Sequence, residues 1–249
     1  MGRIVVVDLS VYMPLQYTTT EEADYCLFMY ETYIKLYEDG NYHFSYLAAH
    51  VLMMYQIYLR LWQLSKTDPG RVTDALVLAH YDSNDGKPYG SSLKEIVENA
   101  RSPMVFNIFK IDERVLVKIL TLLECNDPRP FKYAIDFRNK LAHASGSLMF
   151  EDELMYEEKI LNLNNLMKII HSASANELAS YVLDTIKDRQ YVKPYIVGEI
   201  EVDIEQLIVS PLMLSSYDCY LIKDYLGTTR LGTIIANYFE NKTNEVVFA

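Results

Sequence analysis

Three side chains near the middle of the chain place a cation, an amide and an imidazole within six residues of one another. Arg138 and Asn139 are adjacent, and His143 follows five residues after Arg138. A guanidinium offers a planar set of donors that can hold a phosphate and its developing negative charge. An imidazole titrates near neutral pH and can act as acid or base, while the amide can orient it or bind a non-bridging oxygen. The three residues are candidates for a site at which a 2′-hydroxyl attacks phosphorus.

These residues lie near the C-terminal end of an amphipathic helix that we predict between Asp127 and Gly146. In a straight helix Arg138 and His143 point about 140° apart, whereas Asn139 and His143 share a face. One helix also supplies only one imidazole, although the reaction is best served by a base and an acid on opposite sides of the phosphorus. We therefore expect the helix to end, bend or pair with a second copy of the chain to make one site.

The segment from Arg138 to Gly146 resembles the signature of the HEPN superfamily, helical-bundle proteins whose ribonuclease members carry Arg, a polar residue, a short spacer and His. Arg138, Asn139 and His143 match those positions, and the small residues around them are also typical: Ala142, Ala144, Ser145 and Gly146. The resemblance covers this motif and the helical context of about residues 20–190. It implies an endoribonuclease that acts as a homodimer with the two motifs facing each other. It also implies a toxin or antiviral role, with an antitoxin or defence-system protein as a partner.

The charge of the chain restricts how it could bind nucleic acid. A net charge of −11 argues against coating of nucleic acid through bulk electrostatics. Between residues 127 and 146, however, four cations stand against two carboxylates. We therefore predict that Arg129, Lys132 and Lys140 contribute to binding of an RNA substrate at a local basic patch.

Two other interpretations of the same segment stay open. The chain could be a non-catalytic HEPN-like module that binds a nucleotide, an RNA or a protein partner. It could also be a helical scaffold, in which Arg138 pairs with Asp136 or a neighbouring acid and His143 caps the helix end. Arg138 buried and paired with an acid in every copy would favour the scaffold.

Other common chemistries have no sequence signal. The chain has no P-loop, no G-x-G-x-x-G, no H-E-x-x-H and no G-x-S-x-G, and its three cysteines are far apart. We therefore expect no cofactor and no metal, and we expect His50 and His171 to be core histidines. The N-terminus does not read as a signal peptide, and polar residues interrupt the most apolar run, 46–64. These features predict a cytoplasmic protein without a membrane span.

The periodicity of apolar residues predicts a mainly α fold, a HEPN-like helical bundle with a small C-terminal extension. We predict helices over 21–37, 46–64, 92–100, 113–125, between 127 and 146, over 151–171 and over 176–187. The tripeptide at 68–70 is expected to end the second helix. We predict strands at 4–7 and 195–204, and we assign no structure to 217–239. The expected division is a helical domain at 1–190 and an extension at 191–249.

Overall fold

The structure, a computed structural model, describes residues 7–83, 112–123, 127–143, 153–173, 175–192 and 199–247. The regular structure in these ranges is helical, which confirms the mainly α prediction. After a 3₁₀ turn at Ser10–Tyr12 come α1 (Thr20–Glu38), α2 (Tyr42–Thr67), α3 (Pro69–Ser83), α4 (Glu113–Leu123), α5 (Arg129–Ala142), α6 (Glu153–Ser172), α7 (Ala175–Val192), α8 (Glu199–Ile204), α9 (Ser210–Leu212), α10 (Ser216–Lys223) and α11 (Arg230–Val247).

The central element is α2, which is buried along most of its length. Helices α1, α3, α4, α5 and α6 all contact it. Its side chains are apolar on most sides, as expected of a helix with neighbours all around it. Helix α1, which precedes it, has Thr19 as its N-cap, and the side chain of Thr19 accepts a hydrogen bond from the backbone N–H of Glu22 at 3.2 Å. Helix α2 is therefore the scaffold on which the other helices are positioned.

The tripeptide Asp68-Pro69-Gly70 ends α2 as predicted, but it also begins α3, which the sequence pattern did not indicate. A proline is tolerated in the first turn of a helix because its missing N–H would have no helical partner there. The Asp68 carboxylate accepts a hydrogen bond from the backbone N–H of Arg71 at 3.2 Å. The same residues therefore act as a stop for one helix and a start for the next.

The prediction of a strand at 195–204 is wrong for residues 199–204, which form α8 and continue through a π-helical turn at Glu205–Val209. Ile200, Ile204 and Ile208 recur every four residues, and all three belong to one apolar cluster. The apolar–acidic alternation concealed this helical spacing, because a short segment can satisfy both periods. Residues 193–198, the predicted strand residues 4–6 and the predicted helix 92–100 lie outside the described ranges, and Val7 belongs to no strand.

The C-terminal helices pack on α7 through a second apolar cluster, which includes Leu178, Val182 and Ile186 together with Ile235 and Phe239. Helix α10 also contacts α6, α7 and the turn at Ser10–Tyr12. The segment left unassigned, 217–239, consists largely of α10 and α11. The division of the chain near residue 190 stays a prediction.

None of the helices within the described ranges has both the length and the continuous apolar character that crossing a bilayer requires.

Candidate functional site

Helix α5 carries the three motif residues and begins with local signals of a helix start. The Asp127 carboxylate accepts a hydrogen bond from the backbone N–H of Arg129 at 3.0 Å, and Pro130 lies in the first turn. Phe131, Ala134 and Ile135 form the buried face, which packs toward α2 and α4. The helix ends at Ala142, and the backbone N–H of the next residue still donates to the carbonyl of Asn139 at 3.0 Å.

Arg138 points toward α4, where its guanidinium forms an ion pair with Glu113. Both side chains are about a quarter exposed, at 27% and 25%. The other oxygen of Glu113 lies 3.5 Å from Nε2 of His50, which is fully buried on α2. At that distance the contact is electrostatic rather than a well-formed hydrogen bond. Side-chain contacts therefore run from Arg138 at the protein surface through Glu113 to His50 in the core.

Burial sets the protonation state of His50, whereas neighbouring side chains set that of Glu113. Desolvation lowers the pKa of His50, so its ring is neutral at pH 7 despite the nearby carboxylate. Burial alone would raise the pKa of Glu113, but His50 and Arg138 outweigh it and hold that pKa below its usual value. Glu113 is therefore ionised and can hold the guanidinium in place. Asp136, the partner suggested by the sequence, instead faces Arg114 at 3.3 Å.

His143 lies at the other side of the same helix, with an exposed side chain. Because α5 is regular up to Ala142, no bend falls between Arg138 and His143, and they stay about 140° apart around the helix axis. Asn139, which is half-buried, shares the face of His143. A single chain thus brings Asn139 and His143 onto one face but directs Arg138 elsewhere.

The three predicted substrate-binding residues are all exposed on α5, at different positions along it. Lys132 shares the face of Asn139 and His143, because these residues are separated by intervals of seven and four. Arg129 pairs with Asp127 at 2.9 Å and lies fourteen residues before His143, or about 21 Å along the axis. Lys140 is three residues before His143 and lines a groove between α5 and α6.

This groove has a volume of about 740 Å³. Helix α5 contributes Tyr133, Phe137 and Lys140 to it, and α6 contributes Lys159, Asn162 and Asn165 among others. The sequence pattern did not indicate the α6 residues. Its available signal was the segment LNLNNL at 161–166, because asparagine is a poor helix former and its repetition inside a helix needs another reason.

No protein-family model, curated protein sequence or solved structure matches the chain. Within the part of the chain that the structure describes, no group of three or more His, Cys, Asp or Glu side chains could hold a metal ion.

Proposed function

We propose that this protein is a metal-independent endoribonuclease of the HEPN type that acts as a homodimer in the cytoplasm, as a toxin or in antiviral defence. The observation that carries the proposal is the exposed end of α5. There, His143 lies in solvent on the face of Asn139, with Lys140 one turn before it, in a chain that is otherwise acidic. An exposed imidazole beside cations is what an RNA phosphate and a proton transfer would both require.

A second copy of the chain would supply what one copy lacks. With two α5 ends facing one another, one His143 imidazole takes the proton from the 2′-hydroxyl as its oxygen attacks phosphorus. The bond from phosphorus to the 5′-oxygen breaks, and the second imidazole gives that oxygen a proton. The products are a 2′,3′-cyclic phosphate and a 5′-hydroxyl, so atoms and charge balance without a metal.

Arg138 would act on the phosphate from a position set by Glu113. A guanidinium has five N–H donors, and the contact with Glu113 uses its Nη2. The side chain is 27% exposed, so Arg138 is not enclosed in the protein interior. In this proposal Arg138 of one copy stabilises the developing charge, Asn139 orients the imidazole, and Arg129, Lys132 and Lys140 bind the flanking strand.

The test is cleavage of a single-stranded RNA by the purified protein in excess EDTA. We expect a 2′,3′-cyclic phosphate product and no measurable cleavage by His143→Ala. The matched control is His43→Ala, a half-exposed histidine in the first turn of α2, which should cleave like the wild type. Cleavage that persists in His143→Ala would reject this site. A native mass of one chain, 28.9 kDa, under cleaving conditions would reject the two-copy arrangement.

A second candidate is a non-catalytic HEPN-like module that binds a nucleotide, an RNA or a protein partner. The ion pair between Arg138 and Glu113 favours it, because a guanidinium held by an acid and turned away from His143 also suits a structural role. If the wild type binds RNA without cutting it, and His143→Ala binds equally well, this candidate replaces the first.

A further inference from the structure

The groove between α5 and α6 has apolar walls and polar side chains at its opening. Phe137 packs edge-on against the buried ring of Tyr46, with centroids 5.0 Å apart, while Tyr133 on the same helix is 71% exposed. Leu163 and Leu166 close the bottom from α6. A volume of about 740 Å³ lies within the range of small-molecule binding sites. An exposed tyrosine ring at such an opening is a surface on which a nucleobase can stack.

The polar groups at the opening are two cations and two amides. Lys140 comes from α5 and Lys159 from α6, and Nζ of Lys159 lies 5.6 Å from the centroid of the Phe137 ring. Lys159 also contacts Glu158 at 3.1 Å on its exposed side. Asn162 and Asn165, both exposed, follow on α6. An amide donates and accepts, which lets it read the edge of an unpaired base, whereas a lysine ammonium binds a phosphate.

The cationic end of the groove is the end nearest to His143. Lys159 lies over Phe137, and Lys140 is one helical turn beyond Phe137 on α5. His143 is three residues further, which is about 4.5 Å along the axis and on a neighbouring position of the helix surface. A phosphate bound at Lys140 and Lys159 would therefore be close to the imidazole proposed for cleavage.

The acidic side chain in the groove is Asp136, and it does not reverse this charge pattern. Its carboxylate faces Arg114 at 3.3 Å. Two lysines therefore converge on an aromatic groove in a chain whose net charge is −11. That combination is complementary to an anion that carries a flat ring, and not to an apolar peptide.

We infer that the groove binds one nucleotide unit, with its base against Tyr133, its base edge at Asn162 and Asn165, and its phosphate at Lys140 and Lys159. The assignment of that unit to an RNA strand, next to the linkage to be cut, rests on the proposed function. The shared chemistry of a base and a phosphate would also be met by a free nucleotide.

The experiment measures binding separately from cleavage. The probe is a fluorescein-labelled single-stranded oligonucleotide with 2′-O-methyl riboses, which cannot be cut by 2′-hydroxyl attack, and the readout is fluorescence anisotropy at fixed salt. Tyr133→Ala and Lys159→Ala should each raise the Kd by about tenfold, as expected for the loss of a stacking or phosphate contact. The control Lys168→Ala removes an exposed lysine of α6 that does not line the groove, and it should change the Kd less than twofold.

A second arm titrates a nucleoside 5′-monophosphate into the protein–probe complex. Displacement that depends on Tyr133 and Lys159 supports the groove, and a nucleotide that binds more tightly than the oligonucleotide identifies a free nucleotide as the ligand source. An unchanged Kd in both variants, with thermal unfolding like that of the wild type, overturns the assignment. So does a wild-type protein that binds neither the probe nor the nucleotide.

The two proposals fail in different ways. If the wild type does not cut RNA but Tyr133→Ala and Lys159→Ala lose probe binding, the nuclease proposal falls and the groove stands. If His143-dependent cleavage occurs and both variants bind and cut like the wild type, the groove falls and the nuclease stands.

Discussion

Removing the carboxylate of Asp218 should strongly destabilise the protein, because this group joins three helices in the interior. Asp218 on α10 accepts hydrogen bonds from Arg60 of α2 at 2.5 Å and from the backbone N–H and hydroxyl of Ser215 at 3.0 and 2.8 Å. His171 of α6 lies 2.8 Å away through Nδ1. Burial alone would raise the pKa of Asp218, but Arg60 and His171 hold it well below its usual range. The aspartate is therefore ionised and paired inside the core.

The magnitude follows from what Asp218→Ala leaves behind. The Arg60 guanidinium stays buried, at 1% exposure, without its anion, and breaking a buried pair from one side costs about 3–5 kcal/mol. The variant also loses the two hydrogen bonds that the carboxylate accepts from Ser215, and a capping interaction of this kind contributes about 0.5–2 kcal/mol. The expected loss of about 3.5–7 kcal/mol is a large part of the 5–15 kcal/mol typical of a folded domain.

The assay is urea unfolding at pH 7, followed by circular dichroism and by the fluorescence of Trp62, which is buried on α2. Asp224→Ala is the matched control, because this aspartate is exposed at the end of the same helix, and its stability should stay within about 0.5 kcal/mol of the wild type. The double variant Arg60→Met, Asp218→Leu should be more stable than Asp218→Leu alone, because it no longer leaves a buried guanidinium without an anion. A loss below about 1.5 kcal/mol for Asp218→Ala would refute this reasoning.

Three further changes test other parts of the structure. Burial raises the pKa of Glu22 from 4.5 to about 7, so the wild type should lose stability as pH rises from 4.5 to 7 and level off above. Glu22→Gln should remove this dependence of stability on pH and raise the free energy of unfolding by up to about 3 kcal/mol above pH 7, as measured by urea titrations at several pH values. An unchanged pH dependence would contradict this prediction. Gly232→Ala should lower the free energy of unfolding by about 2 kcal/mol, because a β-carbon there would overlap a backbone carbonyl. Gly70→Ala is the control and should not destabilise the protein, because a β-carbon at residue 70 would contact no other atom. A double-mutant cycle of Arg138→Ala and Glu113→Ala should give a coupling free energy of about 1 kcal/mol, and additivity within 0.3 kcal/mol would mean that the ion pair stabilises nothing.

Helix boundaries were predictable where the signals are local. Asp112 accepts a hydrogen bond from the backbone N–H of Arg114 at 2.8 Å, so α4 begins where its capping residue indicated. At α5, Asp127 lies one residue before the N-cap Pro128, and its carboxylate accepts a hydrogen bond from the backbone N–H of Arg129. These starts depend on residues two or three positions apart, and the sequence displays such pairs directly.

The prediction for residues 199–204 was wrong because two periods fit a short segment. Ile200 and Ile204 are separated by four residues, which suits a strand face as well as a helix face. Burial in the apolar cluster that also contains Leu178 and Ile235 selects the helix, and that cluster joins residues far apart in the chain. The start of α3 at Pro69 was not predicted for a related reason. The tripeptide at 68–70 fits the end of one helix and the beginning of the next, and the sequence pattern indicated only the end.

For the candidate site, the sequence alone determined which side chains share a face of α5. Asn139 lies with His143, and Arg138 lies away from them, because helix geometry depends only on spacing. The tertiary structure decided that Glu113 of another helix holds Arg138, and that α6 lies beside Lys140 to form a groove. Both depend on which helices pack together around α2. That choice is made by long-range burial of apolar faces, and no local spacing encodes it.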